Sequence, residues 1–323
     1  MIKDFKMCVK FLVRKEYREY VRKIEQEGVI EKVNSIKETT GKKSVMVLLR
    51  GNTNVGTFSD YIVFLRVIEH AVEKNYIPVI DRKSVKNGFF PAKDDINTWE
   101  VFFEQPLNIS LEDISNLNAQ VYINHIPSRV EPVSLMHCKD MEIVNYWRSV
   151  ARRYIRFNSK TKTYIEEKKR ILIEGKRTLG VAVREGYIKL NLTEPEKIHN
   201  HPRQPEVYKL VEYVEEYMEK WKCTHIFFTC QTVDTEKIFK KRFGNKAICV
   251  ERNRKTFEEL PEGVTICRIK GDNAYENELG YITEVYLLSQ CTSFLCSENS
   301  GAEAAFIMSN GYENFKCINI GTY

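Results

Sequence analysis

The sequence predicts an α/β protein made of two domains, each with a parallel sheet covered by helices, and three observations carry that expectation. Short runs of β-branched and aliphatic residues alternate with stretches of helical period. Glycine-bearing loops, Arg50–Thr57 and Ser297–Gly301, each lie between a strand and a helix. The 323 residues are long for one core and comfortable for two.

From Ile2 to Ile24 the apolar residues Phe5, Val9, Leu12, Val13, Tyr17, Tyr20 and Val21 recur at helical spacing. Arg14, Lys15, Arg18, Arg22 and Lys23 fill the gaps, so this basic helix either packs on the body or lies on anionic lipid. Ser44–Leu49 is a strand, Ser59–Asn75 a helix burying Ile62, Leu65, Val67, Ile68 and Val72, and Ile77–Ile80 a strand ending in Asp81. Strand, glycine loop, helix and strand make a Rossmann-like unit, with backbone N–H groups open to a ligand near Gly56 and Thr57. Residues 82–140 show little period, although Trp99, Phe102 and Phe103 read as buried. One long helix is expected from Met141 to about Ile173. The domains are expected at 1–170 and 171–323.

The second half alternates more clearly. Leu179–Val183 is a strand, and Pro205 opens a helix with Val207, Leu210, Val211, Val214, Met218 and Trp221 on one face. His225–Thr229 is a strand, Thr235–Phe243 a helix closed by Gly244, and Ala247–Val250 a strand. Tyr281–Cys291 reads as a helix, Ser293–Cys296 as a strand, and Ala302–Met308 as a helix stopped at Asn310-Gly311.

Composition excludes several classes. No apolar run approaches the roughly 20 residues of a membrane span, and charges from Lys3 onward leave no signal-peptide core. Nine cysteines without C-x-x-C pairs fit reduced thiols in a cytoplasm, which makes the sequons at Asn108 and Asn191 chance matches. Residues 1–50 hold 13 basic against 7 acidic residues, which accounts for the whole net charge of +6. A nucleic-acid partner is therefore not expected, because no broad basic face is present. The expected location is cytoplasmic, with residues 1–24 available for peripheral contact with the inner membrane face.

Three places can carry chemistry. Arg184 ends a strand at the edge where open α/β sheets bind ligands, and a guanidinium there can hold a diphosphate; it can equally be a surface arginine. Ser297, Asn299, Ser300 and Gly301 offer hydroxyl, amide and backbone N–H groups at a helix start, suited to phosphate, or an ordinary cap with Ser300 as the capping residue. Glu284 stands in an otherwise apolar helix. Its carboxylate can accept N1–H and N2–H of guanine, or it is an exposed helix residue. His199 and His201 are a weak metal signal.

Three pieces together resemble a known family: Leu179-Gly-Val-Ala-Val-Arg184, His201-Pro-Arg-Gln-Pro205 with its helix and strand, and Glu284 through Ser300. Gly56-Thr-Phe-Ser59, Asn75 through Asp81, and Trp99-Glu-Val-Phe-Phe-Glu-Gln-Pro106 add to them. In order and spacing the set resembles the α-1,6-fucosyltransferase group, which includes nodulation-factor enzymes and bacterial relatives. The resemblance implies a GT-B fold and a glycosyltransferase that moves fucose from GDP-fucose to a glycan acceptor. It further implies inversion and no metal or other cofactor, and the sequence holds no D-x-D. Arg184 maps onto the arginine holding the donor β-phosphate, Glu284 onto the acid reading guanine, and Ser297–Gly301 onto the phosphate loop. Gly56 and Thr57 join the donor-binding set. Glu194 and Glu196 are the carboxylates expected near the cleft to deprotonate the acceptor. The family writes His-x-Arg-Arg or Arg-Gly-Thr-Asp around its arginine, whereas this chain reads Ala182-Val-Arg184-Glu-Gly-Tyr187. That departure leaves a second expectation open, a catalytically silent glycan- or nucleotide-binding protein of the same fold.

Overall fold

The computed structural model describes residues 43–50, 55–84, 96–117, 119–126, 134–185, 202–259 and 273–322. The basic segment 1–24, Glu194, Glu196, His199 and His201 lie outside the described residues. The chain forms two compact units, the first closing at Asn158 and the second running on from Ser159 and also taking in residues 55–58.

The first unit is built on a three-stranded parallel sheet ordered β2-β1-β3. Its strands are β1 (Lys43–Arg50), β2 (Ile77–Asp81) and β3 (Ala119–Ile126). Helix α1 (Thr57–Glu73) joins β1 to β2 and buries Ile62, Leu65, Val67 and Ile68, while Val72 is half-buried. Between β2 and β3 runs a short helix, α2 (Leu111–Ile114), closed by a capping box between Ser110 and Asp113. Val45, Val47 and Val79 pack against Leu111 and Ile114 on one sheet face. Trp99, Phe102 and Phe103 are buried as expected, with Trp99 stacked on Phe103 at 4.4 Å.

The single helix expected over 141–173 is two helices, α3 (Met141–Tyr154) and α4 (Ser159–Leu172). Residues between them leave the helix to bind the aromatic segment. Arg156 O accepts from Glu104 N at 2.8 Å, Asn158 N donates to Phe102 O at 3.0 Å, and Asn158 Nδ2 donates to Glu100 O and Val101 O. These bonds replace helix bonds, so helical period alone does not reveal the break.

The second unit holds a five-stranded parallel sheet ordered β6-β5-β4-β7-β8. Its elements are β4 (Thr178–Ala182), α5 (Val207–Lys220), β5 (His225–Thr229), α6 (Val233–Phe243) and β6 (Ala247–Ile248). They continue with α7 (Ala274–Ser289), β7 (Ser293–Ser297), α8 (Ser300–Met308) and β8 (Asn314–Ile318). From β4 the chain steps outward to β5 and β6, then returns to the other side of β4 for β7. That reversal opens a crevice at the carboxyl ends of β4 and β7. Leu179, Val181, Ile226, Phe228 and Leu295 from the strands form the core with Leu210, Val214 and Phe239 from the helices. α6 ends at Gly244, whose φ of 57° suits glycine.

Three local expectations change. Strand β6 stops at Ile248 rather than Val250, and the Val250 carbonyl accepts from Arg254 Nη2 at 2.9 Å. Helix α7 begins at Ala274, well before Tyr281, and ends at Ser289. The cap of α8 is Asn299, whose Oδ1 accepts from Ala302 N at 3.0 Å, so Ser300 is the first helical residue rather than the cap. Strands β3 and β8, unread in the sequence, are both edge strands. Val121 and Ile123 of β3 are 45% and 53% exposed.

Candidate functional site

At the carboxyl edge of the second sheet lies a pocket open to solvent. Its walls come from the ends of β4 and β5, the segment after β6, one face of α7 and the first turn of α8. Arg184, Glu284, Asn299 and Gly301 all line it. Sheet topology therefore gathers residues from three sequence regions, separated by up to 117 positions, into one place.

Arg184 is half-buried two residues beyond β4. The next residue, Glu185, is buried and holds the neighbouring loop. Its Oε1 accepts from Gln231 N at 3.0 Å and its Oε2 from Thr232 Oγ1, while Glu185 N donates to Gln231 Oε1 at 3.2 Å. Thr232 in turn caps α6 by accepting from Thr235 N. Burial pushes the Glu185 carboxyl up, against the hydrogen bonds of Thr232 and Gln231 that hold it down. Sequence reading missed this residue, because an acid after a strand looks like any loop carboxylate.

Glu284 is 0% exposed, which removes the exposed-helix alternative. Its Oε1 accepts from Arg252 Nε at 3.2 Å and from Arg254 Nη2, and its Oε2 has no hydrogen-bond partner among the described residues. Arg254 also binds Glu236 Oε2 at 2.9 Å, and both arginines donate to the Cys230 carbonyl, at 2.7 Å from Arg252 and 3.1 Å from Arg254. Two guanidinium groups thus flank one buried carboxylate, so the acid is paired within the pocket wall rather than buried alone. Neither arginine was singled out from sequence. Their signal is the alternation Arg252-Asn-Arg254 just after a strand, the same edge position that drew attention to Arg184.

The first turn of α8 supplies the opposite wall. Ser300 N and Gly301 N lie in a turn where no helix carbonyl reaches, and the helix dipole places partial positive charge there. A Cβ at Gly301 would stand 2.7 Å from the Tyr281 hydroxyl oxygen, so any larger residue there would have to displace that ring. Burial pushes the Tyr281 phenol up, with the charge of Arg184 opposing. Ser297 is buried and bonded through its Oγ to Gln204 Oε1, whose Nε2 donates to Glu298 O at 3.1 Å. Ser297 and Ser300 do not line the pocket; Ser297 fixes the loop to the Pro202–Pro205 segment. Gly56 precedes α1 and Thr57 is its first residue, buried, and neither lines the pocket. Among the described residues no group of three or more His, Cys, Asp or Glu is placed to hold a metal ion, and no helix is long and apolar enough to cross a membrane.

No protein-family model and no curated protein matches the sequence. Solved structures do match. The α-1,6-fucosyltransferase NodZ soaked with GDP-fucose superposes with a TM-score of 0.53 at 12% identity, over 83% of this chain and 93% of NodZ. This chain shares the fold of that structure. NodZ from Bradyrhizobium gives 0.51 at 13% identity, over 81% of this chain and 92% of that one. FUT1 of Arabidopsis thaliana in complex with GDP gives 0.50 at 9% identity, over 92% and 77%. The fold is of GT-B type, with two parallel sheets, as the sequence led one to expect.

Proposed function

We propose that the protein is an inverting glycosyltransferase that binds GDP-fucose in the pocket of its second unit and passes fucose to a glycan acceptor without a metal ion. The observation that supports this reading is the convergence of Arg184, the α8 N-terminus and the buried Glu284 on one pocket at the sheet's carboxyl edge. A guanidinium and a helix N-terminus face an anion from two sides, which is what a diphosphate requires. The same pair stabilises the charge that builds on the β-phosphate as the bond from its oxygen to the sugar's anomeric carbon breaks. The acceptor hydroxyl attacks that carbon from the opposite face and gives its proton to a carboxylate, for which Glu194 and Glu196 are the candidates. Glu284 contributes to reading the base. The solved NodZ complexes with GDP and GDP-fucose add support by fold.

The test is GDP release from GDP-fucose with a panel of oligosaccharide acceptors in excess EDTA. Acceptor-dependent release that survives EDTA is the expected result. Binding of GDP-fucose without turnover on any acceptor would favour the silent alternative, and a strict need for manganese would overturn metal independence.

A further inference from the structure

Arg252 lines the pocket, yet the chemistry above leaves it without a task. Its side chain is 13% exposed and its stem lies on Gly280, where a Cβ would come to 3.0 Å from Arg252 Cδ. Nε is taken by Glu284 and Nη2 by the Cys230 carbonyl, so the guanidinium plane is fixed at two points. Its Nη1 has no partner among the described residues. On the carboxylate the situation is complementary. Oε1 serves both Arg252 and Arg254, and the buried Oε2 serves no described group.

Both residues line the pocket, so the pair brings to one wall spare guanidinium donors and one spare carboxylate acceptor. Along its edge guanine offers N7 and O6 as acceptors and N1–H as a donor, which is the matching sequence. Adenine offers an acceptor, a donor and an acceptor, and mismatches twice. A ligand N–H would also relieve Oε2, since an unpaired buried carboxylate oxygen costs free energy. We propose that Arg252 is a base-specificity residue, donating to the N7 and O6 edge of guanine while Glu284 accepts N1–H through Oε2 alone, so that the 2-amino group goes unread. This assignment rests on the GDP-sugar reading of the pocket and sharpens it. A carboxylate with both oxygens free would grip N1–H and N2–H together; here one oxygen is already committed.

Calorimetric titration of the unaltered chain with GDP, inosine diphosphate, 7-deaza-GDP and ADP separates the possibilities. Inosine diphosphate lacks only the 2-amino group and should bind within about threefold of GDP. 7-Deaza-GDP lacks the N7 acceptor and should bind about tenfold more weakly. ADP should bind more weakly than either, because it leaves buried polar groups unpaired. Arg252→Gln should bind GDP and 7-deaza-GDP alike, and because the analogue series needs no variant it stands whether or not Arg252→Gln folds. Weak inosine diphosphate with undiminished 7-deaza-GDP would overturn the assignment in favour of two-oxygen reading by Glu284. Equal binding of GDP, inosine diphosphate and 7-deaza-GDP would overturn it too. Failure of GDP itself to bind would instead overturn the donor reading on which it rests.

Discussion

The two sheets carry arginines and a carboxylate at the same edge, and treat them oppositely. In the first unit Arg50 ends β1, Arg82 follows β2 and Asp60 sits in the first turn of α1. Asp60 Oδ1 accepts from Arg50 Nη1 at 2.9 Å and from Arg82 Nη2, while Arg82 Nη1 donates to Arg50 O at 2.9 Å. All three are buried, Arg82 completely. Burial pushes the Asp60 carboxyl up, and Arg82 and Arg50 hold it down. In the second unit Glu284 sits between Arg252 and Arg254 with the same two-to-one stoichiometry, but the cluster forms one wall of an open pocket and Arg184 stands on another part of it. A parallel-sheet edge collects charged groups wherever strands end. Whether they become a knot or a site depends on what the next helix leaves uncovered. α1 is buried along Tyr61–Ala71 and closes its cluster in, whereas the first turn of α8 ends on the pocket.

That contrast can be broken most decisively at Asp60. Asp60→Ala would strand two buried guanidinium groups, and unfolding in urea should show a loss of roughly 3–5 kcal/mol. GDP affinity of the folded fraction should be unchanged; a selective loss of nucleotide binding with intact stability would make the first cluster a site as well. Arg184→Ala tests the opposite expectation. Single-turnover rates should fall on the order of 10²–10³, with a smaller change in GDP affinity and melting temperature. A variant that unfolds but, when folded, turns over normally would move Arg184 into the structural class.

A smaller effect concerns Glu185, whose carboxyl is raised in the fold by burial. The stability that goes with its protonated form is present below the ordinary glutamate range and is lost as pH rises through the raised folded value. Glu185→Gln keeps an acceptor for Gln231 N and carries no charge. Its melting temperature should therefore gain on that of the unaltered chain between acid and neutral pH. Parallel curves across that interval would show that the carboxylate is not penalised where it lies.

The alternation that announced the fold was legible because β4, β5 and β7 are buried on both faces and read as continuous apolar runs. β3 escaped notice for the opposite reason: its sequence mixes Gln120, Asn124 and His125 with Val121 and Ile123, and as an edge strand it has one neighbour. Within the site, Arg184, Glu284, Asn299 and Gly301 could be found because each stands at a strand end, a helix start or an apolar helix face. Arg252 and Arg254 follow a strand of only two residues and acquire meaning through Glu284, 30 and more positions away. No local pattern encodes such a pairing.

The fastening of residues 230–232 has a thermodynamic consequence. The Cys230 carbonyl is held by two arginines, Gln231 by Glu185 in both directions, and Thr232 by Glu185 and the α6 cap. Ordering a side chain on binding commonly costs about 0.5–1.5 kcal/mol in lost rotamer entropy. Along this wall that loss falls on folding, so an entering ligand meets groups whose freedom is already gone. Heat released on association there would reach the affinity with little entropic subtraction.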